Sequence, residues 1–399
     1  MSIWLDVTTI LNWHRPAVGI VRVESECARH FLDSVREDVR FCVFRDEPRS
    51  YSEVAPRYVR AALQRIGKNE ASSGDLVDEL GDPAPRFVSN GEEIFREGDV
   101  YVSMGLDWDQ KYAKYIYQLK KRIGFKVVMF CYDIIPVKLP HLCVGDVASR
   151  FAEYFSDVAW TSDEVVCISE CSRNDLRDLL NTVGAPVPNL SVVRLGTEIG
   201  VDSEASIGAS VRAILDRRFL LFVSTIERRK NHETIYRAYT RLVDRGRHDL
   251  PLLVFVGMPG WGVGDLLSDL EFDPRTKGVV LQLNHVSDAE LGALYRRSLF
   301  TVYPSLYEGW GLPVAESLAN GKFCLASGAA SIPEVGGDLI EYVDPWDVPE
   351  WADRLEYWID HPTELAVREA KIRNEHHAPS WRGTASFVLD ACRRLMVTE

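Results

Sequence analysis

The sequence predicts an α/β protein made of two Rossmann-like, doubly wound halves, and three observations carry that prediction. Continuous apolar runs, such as Phe219-Leu220-Leu221-Phe222-Val223 and Leu252 to Val256, read as parallel strands buried on both faces. These runs alternate with stretches of helical periodicity along almost the whole chain, the pattern of repeated βαβ units. A stretch at 199–217 with Gly, Ser and Asp reads as a linker with an entry helix, and splits the alternation into segments 1–198 and 218–375. Two or three domains are also what 399 residues lead one to expect.

Composition narrows the function classes. With 46% hydrophobic and 26% charged residues the chain has the balance of a soluble globular protein. A net charge of −13 argues against a general nucleic-acid binder. No apolar run approaches membrane-spanning length, and Met1-Ser2-Ile3-Trp4-Leu5-Asp6 lacks the charged start and apolar core of a secretory signal. A cytoplasmic protein is the expectation. The eight cysteines show no CxxC pair, and no histidine cluster accompanies Cys167 and Cys171, so reduced thiols are expected rather than disulfides or metal ligands.

In chain order, Ile3 to Val7 is the opening strand. A loop with Pro16 leads through Gly19-Ile20-Val21-Arg22 into a helix reaching Phe31-Leu32. Phe41 to Phe44 is a second strand. Residues 46–98 are polar and poorly periodic and read as an insertion of helices and loops. Val100 to Met104 is a third strand. The helical segment after it carries Lys111, Tyr112, Lys114, Tyr115, Tyr117, Lys120, Lys121 and Arg122. It is either a solvated helix face or a surface for an anionic membrane leaflet, since cations with aromatic anchors suit one. Lys126 to Cys131 is a strand, with Tyr132-Asp133-Ile134-Ile135-Pro136 at its C-terminal end, where ligands gather in open α/β sheets. Ser169 is a good N-cap for a helix from Glu170 to Leu180, and Ser191 to Leu195 is the last strand before the linker.

The second half opens with Phe219 to Val223, followed by Ser224-Thr225-Ile226-Glu227-Arg228-Arg229-Lys230-Asn231, with three consecutive cations. Val279 to Leu283 ends at Asn284-His285-Val286-Ser287-Asp288, where Ser287 or Asp288 caps the next helix. Leu299 to Tyr303 is a buried strand. After it comes Pro304-Ser305-Leu306-Tyr307-Glu308-Gly309-Trp310-Gly311-Leu312-Pro313-Val314-Ala315-Glu316. Gly309 and Gly311 permit a tight turn, and Pro313 suits a first helical turn. Strand, glycine loop and helix start make an anion site, because free amides and the helix dipole point outward there. Two carboxylates flank it: Glu308 before the loop, and Glu316, expected in the first helical turn. Phosphate would repel them, so they fit neutral hydroxyls better. A diphosphate between two polyols, a nucleotide sugar, satisfies both demands; an ordinary turn followed by a helix is the plainer alternative.

Glu308 and Glu316, spaced as in EGWGLPVAE, resemble the paired-glutamate signature of retaining glycosyltransferases of family 4, which have the GT-B fold: two Rossmann-like domains facing a cleft. The resemblance covers nearly the whole chain and is strongest from 219 to 345. It implies that Glu316 holds the ribose hydroxyls, that Glu308 lies by the donor sugar, and that amides at Gly309, Gly311 and Leu312 bind the diphosphate. It implies that Arg229 and Lys230 neutralise that diphosphate, with Thr225 nearby where some members carry an arginine, and that backbone near Val286 meets the base. In the first domain it implies a loop at Gly19 facing the donor and a role for Asp133, with Tyr132 where histidine is common. The segment 376–399 resembles terminal helices that return to the first domain. No metal or other cofactor is implied.

The expected activity is retaining transfer of a hexose to a glycan or lipid-linked hydroxyl acceptor in surface polysaccharide synthesis. GDP-mannose is the favoured donor on the spelling of YDIIP and YPSLYEGWGLP, with dTDP-rhamnose, UDP-glucose and UDP-N-acetylglucosamine as the other candidates, and peripheral contact with the inner membrane is the accompanying expectation. A GT-B nucleotide-sugar epimerase and a catalytically silent nucleotide-sugar-binding module are the alternatives.

Overall fold

The computed structural model describes residues 1–14, 17–33, 38–47, 49–68, 93–143, 145–198 and 207–397. Part of the 46–98 insertion, at 69–92, and the first part of the linker, 199–206, lie outside the described residues. The chain divides into two compact units, one formed by residues 1–196 with 379–399 and the other by 197–378.

The first unit holds a seven-stranded sheet in the order β3-β2-β1-β4-β5-β6-β7. The strands are β1 Ile3–Asp6, β2 Val39–Arg45, β3 Ser50–Val54, β4 Val100–Ser103, β5 Lys126–Cys131, β6 Glu164–Cys167 and β7 Asn189–Val192. All neighbours are parallel except β2 and β3, whose pairing is antiparallel. Ile3 stands opposite both Val39 and Val100, so β1 is an interior strand, and strand order reverses between β1 and β4. In open α/β sheets that reversal opens a crevice at the strands' C-terminal ends. The C-terminal helix Trp381–Val397 is locked to this unit near Gly196. The Thr384 hydroxyl donates to the Arg194 carbonyl at 2.9 Å and accepts from the Gly196 amide at 3.0 Å. A Cβ on Gly196 would stand 2.3 Å from the Trp381 nitrogen, so only glycine admits this approach.

The second unit holds a six-stranded, all-parallel sheet in the order β10-β9-β8-β11-β12-β13. Its strands are β8 Phe219–Val223, β9 Leu252–Val256, β10 Val280–Leu283, β11 Thr301–Tyr303, β12 Cys324–Ser327 and β13 Glu341–Val343. The two-residue period of a strand sorts its side chains between two cores. Leu220, Phe222, Leu253 and Phe255 pack with Ile235, Tyr239, Leu242, Trp351 and Leu355. Phe219, Leu221, Leu252 and Val254 pack on the other face with Val211, Ile214, Leu294 and Tyr295. Helices therefore cover both faces, which is why these strands read as unbroken apolar runs. Strand order reverses between β8 and β11.

Several expectations need correction. Segment 46–98 is not helix and loop throughout: it contributes edge strand β3, followed by the helix Pro56–Lys68. The last strand of the first unit is Asn189–Val192, not Ser191 to Leu195, and β11 begins at Thr301 rather than Leu299. The basic segment 111–122 is not one exposed face. Lys111 is buried between Asp6, at 3.0 Å, and Asp107, at 2.7 Å, because it lies just after the short helix Asp107–Gln110 and turns inward. Lys120 pairs with Asp163 at 2.7 Å and Lys114 with Glu153 at 2.9 Å. Among the described residues no helix is long and apolar enough to cross a membrane.

Candidate active site

Two loops meet where the second sheet reverses its strand order. One follows β8 and contains the 3₁₀ turn Arg228–Lys230; the other follows β11 and runs to the helix Leu312–Ala319. Backbone and side chains lace them together. Leu306 N–H donates to the Arg229 carbonyl at 2.8 Å. Asn231, in the left-handed region at φ 60°, donates from Nδ2 to the carbonyls of Pro304 and Pro345 at 3.1 and 2.8 Å. The Ser331 hydroxyl reaches the carbonyls of Glu308 and Trp310 at 2.8 and 3.0 Å. These bonds fix the second loop before any ligand arrives.

Glu308 is buried at the centre of this junction. One of its oxygens, Oε1, receives Lys230 Nζ at 2.7 Å, Tyr303 OH at 2.9 Å and Ser305 Oγ at 2.6 Å, with Arg229 Nη1 at 3.0 Å. The other oxygen, Oε2, has no protein donor among the described residues. Burial pushes the Glu308 pKa up, but the Arg229 and Lys230 charges and the bonds from Lys230 and Ser305 override it and hold the group at about 2. Glu308 is therefore a fixed anion at neutral pH. Burial and the Arg229 charge lower the Lys230 pKa, and Glu308 offsets that only in part. Arg229 is more committed than Lys230. Its Nη1 donates to the Tyr307 carbonyl at 2.7 Å and its Nη2 to Glu227 at 2.8 Å.

Gly311 takes φ 99°, a conformation that favours glycine, and the helix begins at the next residue. The amides of Gly311 and Leu312 have no acceptor among the described residues, so a helix start with open donors stands beside the ion cluster. Glu316 is the fifth residue of that helix, in its second turn, not its first. Its placement owes more to Tyr295, whose hydroxyl donates to Glu316 Oε2 at 2.8 Å, than to the helix dipole, which fades beyond the first turn. Val286 packs on the same cluster as Tyr295 and Leu294. Ser287 caps the next helix in a reciprocal capping box with Glu290. Thr225 is exposed beside the Arg228–Lys230 turn.

The second unit thus carries Thr225, Arg229, Lys230, Val286, Glu308, Gly309, Gly311, Leu312 and Glu316 at the C-terminal ends of β8, β10 and β11. Gly19 and Asp133 belong to the first unit. Gly19 has φ 52° at the start of the helix Ile20–Asp33. Asp133, half-buried after β5, accepts from the Ile135 amide at 3.0 Å in a local turn. A depression of about 750 Å³ elsewhere on the second unit, lined by Tyr236, Arg241, Asp244, Phe272 and Arg275 among others, shares no residue with this site.

Sequence reasoning passed over Tyr303, Ser305, Glu227 and Tyr295. A signal existed for the tyrosines: a phenol in a buried strand or helix must find a polar partner. His232 was passed over too. It is buried, stacks on Phe222 at a ring distance of 4.0 Å, and burial with the Lys230 charge lowers its pKa to about 3, so it stays neutral behind the site.

Comparison with known proteins gives this arrangement a context. Residues 207–375 match the family model of glycosyl transferases group 1. The serotype-specific mannosyltransferase WbdA of Escherichia coli is 25% identical over 353 residues, covering 87% of this chain and 41% of that protein. The O-antigen chain mannosyltransferase B of Escherichia coli is 37% identical over 177 residues, covering 44% of this chain and 46% of its own. The chain therefore spans less than half the length of these relatives. Among solved structures, sucrose-phosphate synthase from Thermosynechococcus elongatus aligns over 100% of both chains with a TM-score of 0.66 at 14% identity. Anabaena HepE, solved in complex with UDP-glucose, aligns over 99% of this chain and 98% of its own with a TM-score of 0.63 at 14% identity. At such identities these two speak for the fold alone, which is GT-B.

Proposed function

We propose that this chain, in which residues 207–375 form a glycosyl transferases group 1 domain homologous to mannosyltransferases of surface polysaccharide synthesis, transfers a hexose from a nucleotide diphosphate sugar to a hydroxyl of a glycan or lipid-linked acceptor, with retention at the anomeric carbon. The mannosyltransferase relatives support mannose as the sugar, and GDP-mannose is the donor this reading takes. The observation that carries the reading is the β8/β11 junction itself: an ionised Glu308, an ammonium 2.7 Å from it, and open amides at a helix start.

In this reading, negative charge gathers on the diphosphate as the glycosidic bond breaks. Lys230, Arg229 and the amides of Gly309, Gly311 and Leu312 stabilise that charge, with Thr225 alongside. Groups that act on charge appearing in the transition state raise turnover more than affinity. Glu308 accepts a hydrogen bond from a donor-sugar hydroxyl through Oε2. It is no proton donor, because it stays ionised. Glu316 holds the ribose hydroxyls and backbone at Val286 meets the base.

The test is a panel of nucleotide sugars scored by thermal shift, then by release of free nucleoside diphosphate with and without a mannosylated acceptor. A donor at about 100 times its Kd should stabilise the protein by about 2.7 kcal/mol, and acceptor should accelerate GDP release. If no nucleotide sugar stabilises the protein or is turned over, the reading fails.

A further inference from the structure

Lys230 carries three N–H donors. One goes to Glu308 Oε1 at 2.7 Å and one to the Tyr303 hydroxyl at 3.0 Å. The third has no acceptor among the described residues. Tyr303 lies at the end of β11 with its ring buried and in edge contact with Phe222, at a ring distance of 5.9 Å. Its hydroxyl accepts a hydrogen bond from Lys230 and donates one to Glu308 at 2.9 Å. The phenol is thus a neutral bridge between the cation and the anion. Two fixed directions at a tetrahedral ammonium determine the third. Without the hydroxyl, the Lys230 chain is free to turn about its contact with Glu308 and spend its remaining donors on that carboxylate.

We infer that Tyr303 is a positioning residue: with Glu308, its hydroxyl holds the Lys230 ammonium so that one N–H faces the departing diphosphate. This rests on the reading of the site as a nucleotide-sugar transferase. Tyr303 touches neither substrate nor reacting atoms in this scheme and acts through Lys230. It also keeps a donor on Glu308 when a phosphate draws the ammonium away, so the carboxylate is not left as a bare buried charge.

A double-mutant cycle tests the inference, with rates expressed per nucleotide-binding site counted by calorimetry so that misfolded protein does not count. Wild-type release of nucleoside diphosphate is the entry condition, and its absence refutes the functional reading rather than this inference. Tyr303→Phe should lower kcat about tenfold while donor KM stays within about twofold, the split that marks a transition-state contribution. In a Lys230→Ala background the same change should alter kcat by less than about twofold, because the group it positions is gone. Additive effects of the two changes, or an unchanged kcat in Tyr303→Phe, overturn the proposal. If Tyr303→Phe does not fold, 3-fluorotyrosine at position 303 keeps the shape and weakens the hydroxyl as an acceptor. A reduced kcat at unchanged donor KM then supports the proposal, and an unchanged kcat overturns it.

Discussion

Each sheet places a buried lysine at the crevice where its strand order reverses, and the two lysines differ in what remains of their bonding capacity. At the β1/β4 crevice Lys111 spends its donors on Ser103 Oγ at 2.7 Å, Asp107 at 2.7 Å and Asp6 at 3.0 Å, and its side chain is 1% exposed. Burial opposes its charge, but Asp107, Asp6 and Glu24 override that and raise its pKa. At the β8/β11 crevice Lys230 spends two donors, is 13% exposed, and has its pKa lowered by burial and by Arg229. The first lysine is saturated and serves the fold. The second is left with a donor and an incompletely compensated charge, which is what a ligand anion needs. Burial, sheet position and carboxylate neighbours are common to both sites; the uncommitted donor is what differs, and the role proposed for Lys230 rests on it.

The comparison is broken most forcefully at Lys111. Lys111→Met should destabilise the protein by about 3–5 kcal/mol, because it leaves Asp6 and Asp107 buried without their cation. Denaturant unfolding checks this, and a loss below 1 kcal/mol would show that the first crevice tolerates uncompensated charge. Glu316→Ala should cost about 1.5–3 kcal/mol in binding of free nucleoside diphosphate, the worth of charged hydrogen bonds to ribose hydroxyls. Unchanged affinity by calorimetry would remove Glu316 from the site.

A smaller effect concerns Glu24, which is buried near Lys111 with Oε2 lacking a hydrogen-bond partner among the described residues. Burial chiefly raises its pKa from 4.5 to about 8; Lys111 opposes this, while Asp6 and Asp107 add to it. The folded pKa lies above the unfolded one, so the protonated group's contribution is complete below about pH 4.5 and is lost as pH rises through 8. Between about pH 6.5 and 8.5 the wild type should lose on the order of 2 kcal/mol of stability that Glu24→Gln does not lose. Parallel pH profiles for the two proteins would contradict that placement of the charge.

The GT-B architecture was legible because its parallel strands are buried on both faces and so stand out as apolar runs. Strand β3 was not legible, since Ser50-Tyr51-Ser52-Glu53-Val54 is an antiparallel edge strand whose polar residues mask the pattern. The glycine loop and its two glutamates could be found from spacing alone. The cations gathered on Glu308 could not, because Lys230 and Arg229 reach it only when two separate loops fold together, whereas Tyr303 and Ser305 precede it on the same strand and loop. Lys111 shows the reverse error. In sequence it joins a run of cations and tyrosines. Only the Asp107–Lys111 spacing, one helical turn, hints that it turns inward.

Steady-state kinetics of Lys230→Ala, measured beside its unfolding free energy, test the central claim most directly. The claim predicts that kcat falls by roughly 10²–10³, as for loss of one oxyanion donor, while donor KM and stability change little. A raised donor KM with kcat intact would mean that Lys230 binds the ground state only, and the contrast between the two crevices would lose its catalytic meaning.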